Sequence, residues 1–507
     1  MTANQRRSFS LVGLLILAAT ALQAQDVASF EKRTTVRKLD NGLTIIILER
    51  HDAPVFSYAT VVNAGSAQEV AGITGLAHMF EHMAFKGSDR VGTTDWPAEK
   101  VALEKVEAAY AAYDKERRKT VGRDEEKVKA AEKEWRDAMT AADKFVVSDE
   151  FSQIIDRAGG VGTNAFTASD MTAYFFSLPS NRFELWAYLE SERFRNPIFR
   201  EFYKERDVVQ EERRLSTESS PFGRLFEQFT AATFTAHPYG VPPIGWMSDL
   251  QSFSATDAAA FAKKYYVPAN MTIAIVGDIK ADEAVPILQK YFGPLPNTPP
   301  PDPLRTVEPP QKSERTIVLR ETSQPLYMEG YHRPDNRSPD DATYGVIEML
   351  MSSGRTSRLY KTLVRDKKIA AQAAGFNGFP GEKYPNLFTF FAVTTPGHAA
   401  ADLADPIHAE IERIKTEDVP ADELQSVKTR VKANLLRQLD SNSGLALQLA
   451  IYQTLRGDWR ELFREPEQID KVTAADIKRV ANATFTPSNR TVAMIESSKA
   501  PAKGDAK

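Results

Sequence analysis

Cysteine is absent from all 507 residues, which excludes disulfide bridges, a lipid-modified cysteine and every thiolate metal site. Histidine is scarce, at seven residues, so any metal must be held by a few imidazoles together with carboxylates. Charge of one sign is not in excess: the formal net charge is -4, and such a balance offers nothing to a nucleic-acid partner. Beyond the N-terminus no apolar run approaches the ~20 residues that a bilayer span takes, so no stable membrane span is expected. What remains is ordinary soluble composition, 42% hydrophobic and 26% charged. At about 150 residues per domain the length suggests three or four folding units.

The N-terminal stretch MTANQRRSFSLVGLLILAATALQAQ carries Arg6 and Arg7, an apolar run from Leu11 to Leu22 and the small residue Ala24. That is a secretory signal pattern, with cleavage expected after Ala24 and hence a periplasmic or secreted mature protein. RRSFSL is also similar to a twin-arginine export signal, and the choice between the two routes stays open.

Clustered prolines in GPLPNTPPPDPLRTVEPPQK, residues 293–312, mark a stiff extended linker. It separates an N-terminal half (25–292) from a C-terminal half (313–498), with a tail at 499–507 expected to be disordered. An internal repeat supports this cut. SATDAAAFAKKYYVPANMTIAIVGD ends the first half and TAADIKRVANATFTPSNRTVAMIES the second. At an offset of 219, Pro268 meets Pro487, Asn270 meets Asn489, Thr272 meets Thr491 and Ala274 meets Ala493. Each copy reads as a helix with a capping box (Ser254 with Asp257, Thr473 with Asp476), a Pro-Asn turn and a strand. Duplicated units, hairpin signals such as Asp40-Asn41-Gly42 and interspersed amphipathic helices indicate an α+β fold. Its two homologous sandwich-type halves would carry mixed, mostly antiparallel sheets with helices packed on them. Residues 97–146 stand apart as two Ala/Glu/Lys-rich helices around TVGRD, with Val106, Ala109, Tyr110 and Tyr113 in a narrow stripe. A solvated surface hairpin is expected there, with a lid or partner-binding arm as the alternative.

The chemistry concentrates in GLAHMFEHMAFKGS, residues 75–88. On a helix capped by Thr74 and ending at Gly87, Leu76, Met79, Phe80 and Met83 form one stripe and His78, Glu81, His82 and Phe85 another. Histidines four apart point the same way and can bind one zinc ion, with Glu81 on their face. A hydrolytic zinc site needs a third protein ligand. The helix EFYKERDVVQEERRL, residues 201–215, offers one: Glu205, Val208, Val209, Glu212 and Leu215 share a face, whereas Glu211 lies with Asp207 and Arg214 on a charged one. This selects Glu212, and it places Glu205 to accept the second ring hydrogen of a ligand histidine. A surface salt-bridge role for Glu205 is the alternative.

HxxEH followed far downstream by ERDVVQEE resembles the inverted-motif zinc peptidases of the pitrilysin and insulin-degrading-enzyme family (M16), especially the branch with mitochondrial processing peptidase and its bacterial relatives. GVGTNAFTASDMTAYFF and HPYGVPPIG look like further family blocks. The resemblance implies a clam-shell of two halves, one zinc ion on His78, His82 and Glu212, and Glu81 as general base. It also implies an edge strand that takes substrate backbone at Asn164 and Ala165. Of the family's paired Arg and Tyr in the second half, Tyr384 is the candidate tyrosine, but position 377 is Asn. His237, far from any paired donor, reads as structural. From His82 to Glu212 is 130 positions, whereas the resemblance implies about 75 to 77; the 97–146 hairpin accounts for the excess. The second half has no HxxEH and reads as the inactive member. The expected function is an exported zinc endopeptidase acting on peptides or unfolded polypeptides. The alternatives are a zinc subunit active only in a homo- or heterodimer whose partner supplies the missing arginine, and a non-catalytic scaffold.

Overall fold

The computed structural model describes residues 27–498. The expected signal segment 1–24 and the tail 499–507 lie outside the described residues. The first sheet contains β1 (Thr34–Lys38), β2 (Thr44–Glu49), β3 (Val55–Val62), β4 (Val161–Thr167), β5 (Thr172–Pro179) and β6 (Met271–Gly277), in the order β1-β2-β6-β3-β5-β4. The second contains β7 (Arg315–Glu321), β8 (Leu326–Arg333), β9 (Ala370–Phe379), β10 (Asn386–Thr394) and β11 (Arg490–Ser497), in the order β7-β11-β8-β10-β9. Among the described residues there are two sheets, one from each half of the chain.

The duplication read from four identities extends to hydrogen bonds and register. Strand β6 runs parallel to β2 and antiparallel to β3, and β11 runs parallel to β7 and antiparallel to β8. Ile275 lies between Ile47 and Tyr58; Met494, its counterpart at the same offset, lies between Val318 and Tyr327. Both expected capping boxes form, on helices Ala255–Tyr265 and Ala474–Thr484. The Asn270 amide donates to the carbonyls of Tyr265 and Asn63, and the Asn489 amide donates to those of Thr484 and His332. A side-chain donor at this position satisfies two turn carbonyls at once, which explains why both copies use Asn where the chain leaves the helix for the strand.

Each sheet has one face packed by helices of its own half and the other covered by a helix of the opposite half. Helix Asn442–Arg456 lays Leu445, Leu449 and Ala450 on Ile46, Ala59 and Ala274 of the first sheet. Reciprocally, helix Pro221–Thr233 lays Leu225 and Phe229 on Met328, Leu387 and Ala493 of the second. The halves therefore share two hydrophobic layers. The linker 293–312 is strapped down between them: the Glu308 carboxylate accepts the amides of Thr235, Ala236 and His237.

Two expectations need correction. The motif helix runs Leu76–Met83 and is preceded by Gly75, not capped by Thr74. Gly75 has φ 89°, and a Cβ there would meet the Ile244 carbonyl at 2.5 Å, so only glycine fits. The Thr74 hydroxyl instead donates to Asp249 (2.7 Å), while the buried Glu69 carboxylate accepts the Gly75 and Ala77 amides at 2.8 and 2.7 Å and does the capping. The inserted hairpin, helices Trp96–Arg117 and Glu125–Ala142, is not merely a solvated arm. Val106, Tyr110, Trp135 and Ala142 are buried in the core of the first half. Most of its charged residues line the outer face, which is what the composition reported, but Glu99 is buried.

Candidate metal centre

The motif helix buries Leu76, Met79, Phe80 and Met83 and leaves His78, Glu81 and His82 half-buried on the cleft side. The glutamate helix, Phe202–Arg213, buries Phe202, Arg206, Val209 and Arg213. Its other face, with Val208 and, just beyond the helix, Leu215 exposed, turns toward the cleft and carries Glu205 and Glu212. The two helices bring His78, His82 and Glu212 together, with one ligand atom from each within 4.8 Å of the others. The Nε2 of His78 lies 3.7 Å from one Glu212 oxygen and the Nε2 of His82 lies 3.6 Å from the other. Those separations are too long for hydrogen bonds and close to the ~3.3 Å between ligand atoms arranged tetrahedrally around zinc. Glu211, by contrast, pairs with Arg214 at the surface.

His82 Nδ1 lies 2.9 Å from Glu205 Oε1, and Lys86 Nζ lies 2.8 Å from Glu205 Oε2. The bond from His82, reinforced by Lys86, holds the Glu205 carboxyl down at about 2. An ionised Glu205 accepts, so His82 Nδ1 donates and its Nε2 lone pair faces Glu212. Burial pushes His78 down to about 3, leaving a neutral imidazole whose Nδ1 is buried and unpartnered. Burial would also lower His82, but the Glu205 hydrogen bond and neighbouring carboxylates outweigh it and raise it. Burial raises Glu81, against the opposing effect of a 2.7 Å hydrogen bond donated by Thr167. Two neutral-capable imidazoles, a carboxylate and no sulfur form a donor set suited to zinc.

Beside these residues is a cavity of about 400 Å³, lined by His78, Thr167 and Glu212 and by Phe226, Tyr239, Phe379 and Pro380. Phe379 and Pro380 belong to the second half, so the cavity lies between the halves. β4 is the free edge of the first sheet. Asn164 is exposed on it, and the Ala165 amide donates to the Asn164 side chain. Thr167, two residues further along, holds Glu81; the expected substrate edge and the expected base are thus directly connected.

The structure does not bring Tyr384 to this cavity. Its amide donates to the Tyr239 hydroxyl, and its ring packs against His237 at 5.0 Å. Asn377 accepts from Arg333 of β8, which also pairs with Asp341 and does not line this cavity. His237 is buried, accepts the Tyr239 amide through Nδ1 and stands apart from the metal group. Sequence reasoning missed Thr167, Glu69 and Tyr239. For Thr167 there was a signal, since it has the same strand parity as Ala165 in the block GTNAFTAS; Glu69 caps from six and eight residues upstream, outside any capping-box spacing, and the contacts of Tyr239 are long-range.

Two histidines and a glutamate on one helix, met by a carboxylate from a second helix inside a two-sheet clam-shell, define the class of metallopeptidases built on the inverted HxxEH motif. The family model described as "Insulinase (Peptidase family M16)" matches residues 44–115, and "Peptidase M16 inactive domain" matches residues 252–431. The chain is 27% identical over 493 residues to the zinc protease PqqE of Helicobacter pylori, covering 95% of this chain and 96% of that one. A crystal structure of a protease from Helicobacter pylori superposes with a TM-score of 0.75 at 26% identity, over 91% of this chain and 99% of that one. The first half of the periplasmic protease PqqL from Escherichia coli shares the fold, with a TM-score of 0.66 at 17% identity over 92% of each chain. The chain belongs to peptidase family M16.

Proposed function

We propose that this protein is an exported zinc-dependent endopeptidase that hydrolyses peptides or unfolded polypeptides between its two halves. The observation that carries the reading is the convergence of His78 Nε2, His82 Nε2 and the Glu212 carboxylate next to Glu81. The names of the relatives, zinc proteases, support it, and the N-terminal signal pattern together with the periplasmic PqqL supports export to the periplasm or beyond. In this reading residues 25–292 carry the site and 313–498 form its inactive counterpart, joined by the 293–312 linker.

One zinc ion on His78, His82 and Glu212 would supply Lewis acidity, bringing the pKa of a water towards about 7 and polarising the scissile carbonyl. Glu205 keeps His82 in the tautomer whose Nε2 lone pair faces Glu212 and would be free to bind a metal, and Lys86 keeps Glu205 in place. Thr167 pins one oxygen of Glu81. The other is left to take the proton of the attacking water and pass it to the leaving amine. Hydrolysis then proceeds without a covalent intermediate. The β4 edge at Asn164 and Ala165 would pair with an extended substrate through main-chain hydrogen bonds, a mode indifferent to side-chain identity. Tyr384 has no role in this mechanism, because it packs on His237 and not into the cavity.

The test is Glu81→Gln. The variant should retain one zinc per chain by elemental analysis while peptide cleavage falls by at least about three orders of magnitude. An active Glu81→Gln protein would remove Glu81 as the base.

A further inference from the structure

The inserted hairpin contributes an aromatic enclosure for Arg206, which adjoins Glu205 in the chain and shares its helix with Glu212. The Arg206 guanidinium is buried. It sits 4.9 Å from the ring centroids of Tyr110 and Tyr203 and 5.8 Å from that of Trp135. Its Nη1 donates to the Tyr110 hydroxyl at 2.7 Å and to the Phe253 carbonyl at 2.9 Å. Among the described residues it has no carboxylate partner, and its Nε is buried without an acceptor. A buried cation with only neutral acceptors depends on the π faces around it. Two of those three rings, Tyr110 and Trp135, come from the two helices of the hairpin.

A second tie from the same hairpin reaches the motif helix. Glu99, fully buried, accepts Arg200 Nε at 2.8 Å and Nη2 at 3.0 Å. Arg200 then donates to the carbonyls of Lys86, Ser88 and Val91, at 2.6, 2.8 and 2.7 Å, which form the segment leaving the motif helix. The hairpin thus grips the exit of one metal-bearing helix and the middle of the other. The two helices also meet directly, through the His82–Glu205 and Lys86–Glu205 contacts, and the hairpin adds a hold on each of them from elsewhere in the first half.

We infer that the hairpin is a positioning device for the metal centre, with Tyr110 acting through Arg206 to hold Glu205 and Glu212 in register with His78 and His82. This rests on the zinc reading above. A shift of about 1 Å in a ligand helix is enough to cost a large factor in rate, and loss of a supporting contact around a metal site typically weakens binding by about 10- to 100-fold.

The test compares zinc affinity, measured by competition with a chromogenic chelator, with the melting temperature of the zinc-free protein. Tyr110→Phe keeps its ring in the core and removes only the hydroxyl, which accepts from Arg206 and donates to the Ser252 carbonyl at 3.0 Å. Arg206→Lys keeps the charge and loses the planar stack. Lys129→Ala, on the exposed face, is the control. Zinc should bind about threefold more weakly to Tyr110→Phe and about tenfold more weakly to Arg206→Lys, with Lys129→Ala unchanged. At saturating zinc, kcat should fall with KM within about twofold. Wild-type zinc affinity in both core variants, with only the melting temperature lowered, would show a purely stabilising hairpin and overturn the inference. A wild-type protein that binds no zinc would instead overturn the zinc reading beneath it.

Discussion

Replacing Glu205 by Gln isolates the support of one proposed ligand without touching any ligand. The amide oxygen can still accept the His82 Nδ1–H bond, now seen at 2.9 Å, but the bond loses its charge, and Lys86 loses an ion-pair partner at 2.8 Å. A hydrogen bond to a charged group contributes about 1.5–3 kcal/mol and a neutral one about 0.5–1.5. The difference, about 1–1.5 kcal/mol, corresponds to roughly tenfold in an equilibrium constant, the lower end of what outer partners of metal ligands contribute. Glu205→Gln should therefore bind zinc about tenfold more weakly in a chelator competition. Glu205→Ala, which leaves Nδ1 without an acceptor, should lose about 100-fold. Glu211→Gln is the matched control, since that carboxylate is 64% exposed and pairs only with Arg214. If Glu205→Gln held zinc as tightly as wild type, the contribution of the Glu205 charge would be refuted, and wild-type affinity in Glu205→Ala would refute its hold on the His82 tautomer.

Thr167→Val, of similar shape, removes the donor that pins Glu81; kcat should fall about tenfold with KM little changed, and equal kcat would dismiss the contact. Leu449→Ala opens a cavity in the layer where the second half's helix covers the first sheet; urea unfolding should show a loss of about 2–5 kcal/mol. Burial raises Glu348 and Glu382, which face the chamber between the halves, to about 7 from 4.5. Between those values the folded protein holds protons the unfolded chain has released, so both groups make stability fall as pH rises from about 4.5 through 7. The double variant Glu348→Gln/Glu382→Gln should gain stability relative to wild type across that window, and a pH-independent difference would argue against it.

How much of this was legible in the sequence depended on whether the deciding contacts were local. His78, Glu81 and His82 lie within one helical turn, and helix periodicity alone separated Glu212 from Glu211. The offset of 219 was visible because a capping box, a Pro-Asn turn and strand alternation are all short-range devices. What failed was long-range. Thr74 was a sound cap by residue type, yet Asp249, 175 residues on, takes its hydroxyl, which leaves the capping to Glu69 a few residues upstream. The hairpin's composition records only its wet face; Tyr110 and Trp135, one on each helix, needed Arg206 to show what their stripe packs against. Nothing local in the helices Pro221–Thr233 and Asn442–Arg456 says that each covers the other half's sheet. Tyr384 was the tyrosine that the resemblance implied, but the Tyr239 hydroxyl holds its backbone and the His237 ring packs on its side chain.

The central claim is a single zinc ion on His78, His82 and Glu212 that peptide hydrolysis requires. Titrating zinc into metal-free protein while following cleavage of a peptide tests it most directly. Activity should rise from zero in proportion to added zinc and break at one equivalent per chain. Cleavage by the metal-free protein, or zinc binding at one equivalent with Glu212→Ala as tight as wild type, would contradict it.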